Sequence, residues 1–392
     1  MTTKTIGTWI KERRSKLALD APTLARASRI NGTRLDAIET SREEATFEEL
    51  RRVSRILGID LATYDPDEGG SPEQLPSVTT LMKSAGGFIP ASQWNVVVDA
   101  AEVAREIVAL EDALGRPSRF EVLSERFPDG RFSKGGWQEG RRLAMLVREV
   151  LSIEAGPIPS MLRLCERLGI VVVETWLPQG ISALCLADEA HGPTIILNLA
   201  GYNESAFVRR FTLAHEVCHI LFDRHGLEPL QTFDSYAEAS DKSSVEQRAD
   251  AFSVQLLAPE EPFRVHWKQL DKLGFPPEIT LRKLMERFGV GFQAMRSRAV
   301  HLGLLSEEAS YALSTVDTTP PGVFVSAEED PTAKELFTPI RRERRGALLR
   351  LTLEALGKGI IGTSKALELL DLSADAFAER RPDWCQELGL AC

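Results

Sequence analysis

"RFTLAHEVCHILFDRHG", residues 210–226, decides how this chain is read. At its centre His215-Glu216-Val217-Cys218-His219 sets two imidazoles four residues apart, with a carboxylate between them. Residues four apart share a helix face, so the two Nε2 atoms can meet one cation. Glu216 is placed beside them to hold and deprotonate a water rather than to ligate. With six histidines in the chain, such a run arises by chance on the order of once per hundred similar sequences. The alternative is a helix whose histidines face solvent. Leu213, Ala214, Val217, Ile220 and Leu221 argue against it, because they give this helix a wide apolar face. Two buried neutral histidines need polar partners, and one metal serves both.

A catalytic zinc takes three protein ligands and keeps one position open, so two histidines are not enough. His225 falls too early for H-E-x-x-H-x-x-G-x-x-H, and no glycine matches. Downstream, "SVEQRADAFSVQLLAP" (244–259) carries an apolar stripe of Val245, Ala249, Phe252 and Leu256. Glu246 and Asp250 stand one turn apart beside that stripe. Glu246 would be the third ligand, and Asp250 would hydrogen-bond a ligating imidazole from behind. Spacing alone equally allows two solvated surface acids. Glu228, Asp234, Glu238 and Asp241 compete for the ligand role.

"RFTLAHEVCHILFD" followed by "EQRADAFSVQLLAP" resembles the ImmA/IrrE family of bacterial zinc metallopeptidases, whose hallmark is an FTLAHE-x-x-H-x-LL helix and a later E-x-x-A-N/D-x-F-A-x-x-LL-x-P helix. The resemblance extends through "IPSMLRLCERLGIVVV", "ISALCLAD" and "PTIILN" upstream and through "LMERFGVGFQAMRSRAVHLGLL" (284–305) downstream. It covers roughly residues 136 to 305. It implies a zincin-like fold, with His215, His219 and Glu246 as ligands of Zn2+ (Mn2+ being the other working metal) and Glu216 as general base. Two positions depart from the family pattern. Cys218 replaces a small residue and is read as core, and Asp250 stands where Asn is common. Tyr202, Tyr236, His225 and Arg248 are all candidates to stabilise an oxyanion.

The first 65 residues read as short helices, with apolar or small residues at helical spacing in "IGTWIKERRSKL", "APTLARAS", "GTRLDAIE" and "FEELRRVSRIL". The stretch 23–60, "TLARASRINGTRLDAIETSREEATFEELRRVSRILGID", resembles an XRE-type helix-turn-helix. That resemblance implies a second helix in the major groove, with Asn31, Thr33 and Arg34 meeting bases. Through Tyr64 the chain carries 12 Lys/Arg against 9 Asp/Glu, while the whole chain stands at −10. A basic module on an acidic body suits a local DNA footprint. Against it, Arg29 sits where such turns often place Gly, and Asp36, Glu43 and Glu44 would repel phosphate. Docking onto another XRE-type protein, or dimerisation, is the competing reading.

The rest of the chain frames these motifs. A length of 392 residues with 43% hydrophobic and 27% charged content suits two or three soluble domains. A net charge of −10 argues against coating nucleic acid or an anionic membrane. The N-terminus lacks a signal-peptide core, and no apolar run approaches the ~20 residues that span a bilayer. Cysteines 165, 185, 218, 385 and 392 are scattered, odd in number and without CxxC spacing, a reduced cytoplasmic pattern. We expect an α+β, mostly helical fold: an all-α helix-turn-helix domain (1–65), a Pro/Gly/acid-rich linker (66–90), a metallopeptidase domain with a small β-sheet (91–310) and a helical C-terminal region (323–392). The C-terminal helices read as packing and oligomerisation elements, which allows a homodimer. The expected activity is cytoplasmic zinc endopeptidase action on a partner protein, an XRE-type repressor, derepressing stress, mobile-element or phage-defence genes. The competing activities are a DNA-binding regulator that senses without cleaving, and the toxin of a toxin–antitoxin pair. Selectivity would come from a sheet edge near "PTIILNL" together with a partner held by the tethered N-terminal module.

Overall fold

Capping residues set where the first four helices begin. In the computed structural model, which describes residues 5–59, 61, 94–127, 136–178, 180–223, 244–313 and 335–391, these are α1 (Ile6–Lys16), α2 (Ala21–Ser28), α3 (Gly32–Glu39) and α4 (Phe47–Leu57). Thr5, Asp20, Asn31 and Thr46 each accept a backbone N–H from the first turn that follows. Between α2 and α3 the chain turns at Arg29, whose φ of 55° is left-handed. The turn therefore needs positive φ as a glycine would supply it, and an arginine supplies it here. Arg14 grips the buried Glu39 through two hydrogen bonds of 2.6 and 2.8 Å, tying α1 to α3.

The next helices are α5 (Trp94–Ala113), α6 (Arg119–Arg126), α7 (Trp137–Val150) and α8 (Met161–Leu168). Three strands follow: β1 (Val171–Thr175), β2 (Ala183–Asp188) and β3 (Gly192–Asn198). Their spatial order is β1-β3-β2, with β1 parallel and β2 antiparallel to β3. The segment "PTIILNL" is thus the central strand, hydrogen-bonded on both sides. β1 and β2 form the two edges of the sheet.

Helices then take over: α9 (Ala206–Phe222), α10 (Ser244–Leu257), α11 (Glu260–Lys272), α12 (Pro277–Phe288), α13 (Phe292–His301) and α14 (Glu307–Ala312), and later α15 (Ala347–Gly357), α16 (Thr363–Leu370) and α17 (Ala374–Leu388). The expected linker lies outside the described residues. A fold that is mostly helical with one small sheet agrees with the α+β expectation.

The sheet separates two cores. Ala183, Cys185, Ile195 and Leu197 face α9, α10 and the helices up to α13. Alternate residues Val171, Val173, Leu184, Leu186 and Ile196 face α5 and α15. The buried residues of α1–α4 are continuous with this second core. Arg55 on α4 also pairs with Asp99 on α5 at 2.8 Å and with Glu102. A tethered, separate N-terminal module was expected; its apolar faces in fact find their partner on α5. Cys165, Cys185 and Cys218 are buried free thiols. No described helix is long and apolar enough to cross a membrane.

Candidate metal centre

Two helices carry the site, and a glycine on a third sets how one of them lies. α9 is buried over most of its length, because the apolar residues around its histidines pack on the sheet and on α10. α10 lies against α7, and Gly140 lets their backbones approach. A Cβ at Gly140 would stand 2.2 Å from the Arg248 carbonyl oxygen and 2.9 Å from Ala251 Cβ. That close crossing delivers Glu246, on the first turn of α10, to the histidines of α9.

The geometry is compact. His215 Nε2 lies 3.1 Å from His219 Nε2 and 3.1 Å from Glu246 Oε2, while His219 Nε2 lies 3.7 Å from Glu246 Oε1. Among the described residues, His215, His219 and Glu246 form a group of ligand atoms within 4.8 Å of one another that could hold a metal ion. The histidines are at most 1% exposed.

The back of each ring is also engaged. His215 Nδ1 is 3.1 Å from Asp250 Oδ1, and His219 Nδ1 is 2.9 Å from Asp223 Oδ2. Each Nδ1 donates its N–H to its carboxylate, so in the neutral rings that a metal needs, both Nε2 atoms would turn lone pairs into the centre. Two imidazole nitrogens and a carboxylate converging at about 3 Å call for positive charge among them, a metal ion or, without one, a proton. Burial works against charge on His215, yet Asp250 and Glu246 hold its pKa up at about 10. The cluster is built to enclose positive charge. A zinc-type ion suits this set of two imidazoles and one carboxylate.

Sequence reasoning missed Asp223. Its other oxygen, Oδ1, binds the Arg248 guanidinium, so the acid that orients His219 is itself held by α10. Asp223 lies four residues after His219, and the same helical spacing that reveals the histidine pair could have found it. Arg248, an oxyanion candidate, is buried and committed to this pair. Tyr202 is 67% exposed, and Tyr236, His225, Glu228, Asp234, Glu238 and Asp241 lie outside the described residues. Cys218 is fully buried, as the core reading expects.

Glu216 is 1% exposed and stands apart from the ligand group. Burial raises its pKa, and the nearby histidines oppose that rise. Its Oε2 lies 2.9 Å from Cys185 Sγ on β2, a second neighbour that spacing did not reveal.

The structure does not bring the proposed DNA-reading residues together as free groups. Asn31 caps α3 by accepting the Thr33 N–H at 2.9 Å. Arg34 makes two bonds to Glu49, at 2.9 and 2.8 Å, one to the Glu44 carbonyl at 2.8 Å, and one to Glu43. The Arg34 guanidinium is engaged within the N-terminal helices in this structure. Of the acids expected to repel phosphate, Glu43 pairs with Arg34, Glu44 adds only its backbone carbonyl, and Asp36 pairs with Arg42. Thr33 remains exposed, with its amide engaged by Asn31.

Residues 165–300 match the IrrE N-terminal-like domain, Peptidase_M78. The matched span holds every residue of the centre, from Cys185 to Asp250. It supports the ImmA/IrrE resemblance, a zincin-like fold and a metallopeptidase-like function, and zinc is the metal that such peptidases use in general. No curated protein matches the chain.

Proposed function

We propose that this chain is a cytoplasmic zinc-dependent endopeptidase that cleaves a partner protein, an XRE-type repressor, and so derepresses the genes that the repressor controls. The observation that carries the reading is Glu216. It is a buried carboxylate on the ligand helix, beside both histidines yet outside the ligand group, and a purely structural metal site has no use for it.

His215, His219 and Glu246 would hold the zinc, which would supply Lewis acidity to activate a water at neutral pH and polarise a scissile carbonyl. The chain's own residues do the rest. Asp250 and Asp223 fix the tautomers and orientation of the two rings. Glu216 takes the proton of the attacking water on its carboxylate and returns it to the amide nitrogen that leaves, so one water is consumed for each peptide bond. The surrounding apolar helices exclude bulk water. Cys185 of the edge strand β2 touches Glu216, which supports a substrate strand bound along that edge.

The four N-terminal helices support a role in partner selection. With Asn31 capping a helix and Arg34 consumed by acids, protein docking is better supported than base reading. Small helix-turn-helix proteins encoded next to this chain are the substrates to try first. Incubated with one of them, the wild-type protein cleaves it and Glu216→Gln leaves it whole while retaining about one zinc per chain. Cleavage at the wild-type rate by Glu216→Gln rejects the mechanism. If the partner binds but is never cut by wild type, the non-proteolytic regulator takes its place.

A further inference from the structure

We propose that Cys185 is a positioning residue for Glu216: its thiol holds one carboxylate oxygen, so that the other is left to take the water's proton. The proposal rests on the peptidase reading above and extends it to a residue outside the ligand helix.

The contact is direct. Cys185 Sγ lies 2.9 Å from Glu216 Oε2 and 4.0 Å from the Glu216 carbonyl oxygen. Both residues are buried, at 2% and 1% exposure. A carboxylate removed from water needs a hydrogen-bond donor. Among the described residues, the side chain that donates to Glu216 is Cys185. Burial, with the charge of Glu216 behind it, pushes the Cys185 thiol well up, so it keeps its proton and remains a donor.

The strand makes the contact dependable. Cys185 pairs with Ile195 of β3, and both side chains lie on the sheet face that packs on α9. A thiol is a weak donor. It can orient the carboxylate without competing strongly for the lone pairs that a base must offer. Holding Oε2 leaves Oε1 as the atom for proton transfer and removes the rotational freedom of the side chain. Misplacing a reacting group by about 1 Å costs about a hundredfold in rate.

The test compares wild type, Cys185→Ala, Cys185→Ser and Glu216→Gln as full-length proteins, with zinc content and thermal melting as checks of fold. The first readout needs no substrate. In metal-free protein, the infrared S–H stretch that disappears in Cys185→Ala should sit at low frequency in wild type and rise in Glu216→Gln, where a neutral amide is the weaker acceptor. The second uses whichever helix-turn-helix protein the wild type is found to cleave. Cys185→Ala should lower kcat about tenfold or more with KM unchanged, and Cys185→Ser, which keeps a donor, should recover most of the loss. An S–H band indifferent to Glu216→Gln, or wild-type kcat in Cys185→Ala while Glu216→Gln is inactive, overturns the positioning role and leaves the peptidase reading standing. Full activity in Glu216→Gln removes both. If Cys185→Ala does not fold, the infrared shift and the Cys185→Ser kinetics still decide: wild-type frequency in Glu216→Gln overturns the proposal.

Discussion

Asp223 shows what one side chain contributes when its two oxygens face different helices. One accepts from His219 Nδ1 and the other binds Arg248, so ring orientation and helix contact depend on the same carboxylate. Asp223→Asn should keep the fold, because an amide still fits, but weaken zinc affinity by about 10- to 100-fold. Competition with a chromogenic chelator measures this, and unchanged affinity would show that His219 needs no such support. His215→Ala, His219→Ala and Glu246→Ala should each lose the metal outright, since each removes a ligand. Full zinc occupancy in Glu246→Ala would point to another carboxylate. At this scale helical spacing was informative for His215 and His219, while the roles of Glu246 and Asp250 came from the family resemblance. Cys185 was illegible, because it reaches Glu216 across a strand and a helix that no local pattern links.

Helix pairs decide whether those side chains meet. Gly140 on α7 faces the backbone of α10, where a methyl group would overlap the Arg248 carbonyl. Gly140→Ala should therefore push α10 away, lowering stability by about 1–3 kcal/mol and weakening zinc binding together with it. Gly32→Ala, with open space around its position, is the control, and equal melting of the two variants would refute the crowding argument. In the N-terminal helices, Arg34 holds the Glu49 carboxyl down at about 2, below its ordinary 4.5. A depressed folded pKa means stability that is present above about 4.5 and lost as pH falls toward about 2. Melting curves of wild type and Glu49→Gln should thus differ at neutral pH and converge across that window. The N-terminal helices were readable from apolar spacing, as in "FEELRRVSRIL", which forms α4. Strand order was not, because β-rich composition marks "PTIILNL" as a strand without saying that both its edges are taken.

At the scale of the whole molecule, the N-terminal helices complete a core that begins on the far side of the sheet. Their removal takes no metal ligand with it, so a chain lacking residues 1–60 should bind zinc as the full chain does. It should nonetheless melt several degrees lower and bind a hydrophobic dye, because the apolar face of α5 loses its cover. A melting temperature equal to that of the full chain would restore the picture of a loosely tethered module. The charge contrast between this segment and the acidic remainder was visible in the sequence. The docking was not, since an apolar helix face announces burial without naming its partner.

The alternation along β2 constrains how this gene can change length. Cys185 faces the base, while Leu184 and Leu186 face the opposite core. Deleting one codon between residues 176 and 182 and drawing the strand along by a single position would present a leucine to Glu216 and turn the thiol toward α5. Families diversify readily by insertions and deletions in such turns. Here a single-codon change should be purged and substitutions kept, so the turn before β2 is expected to vary in letters while holding its length.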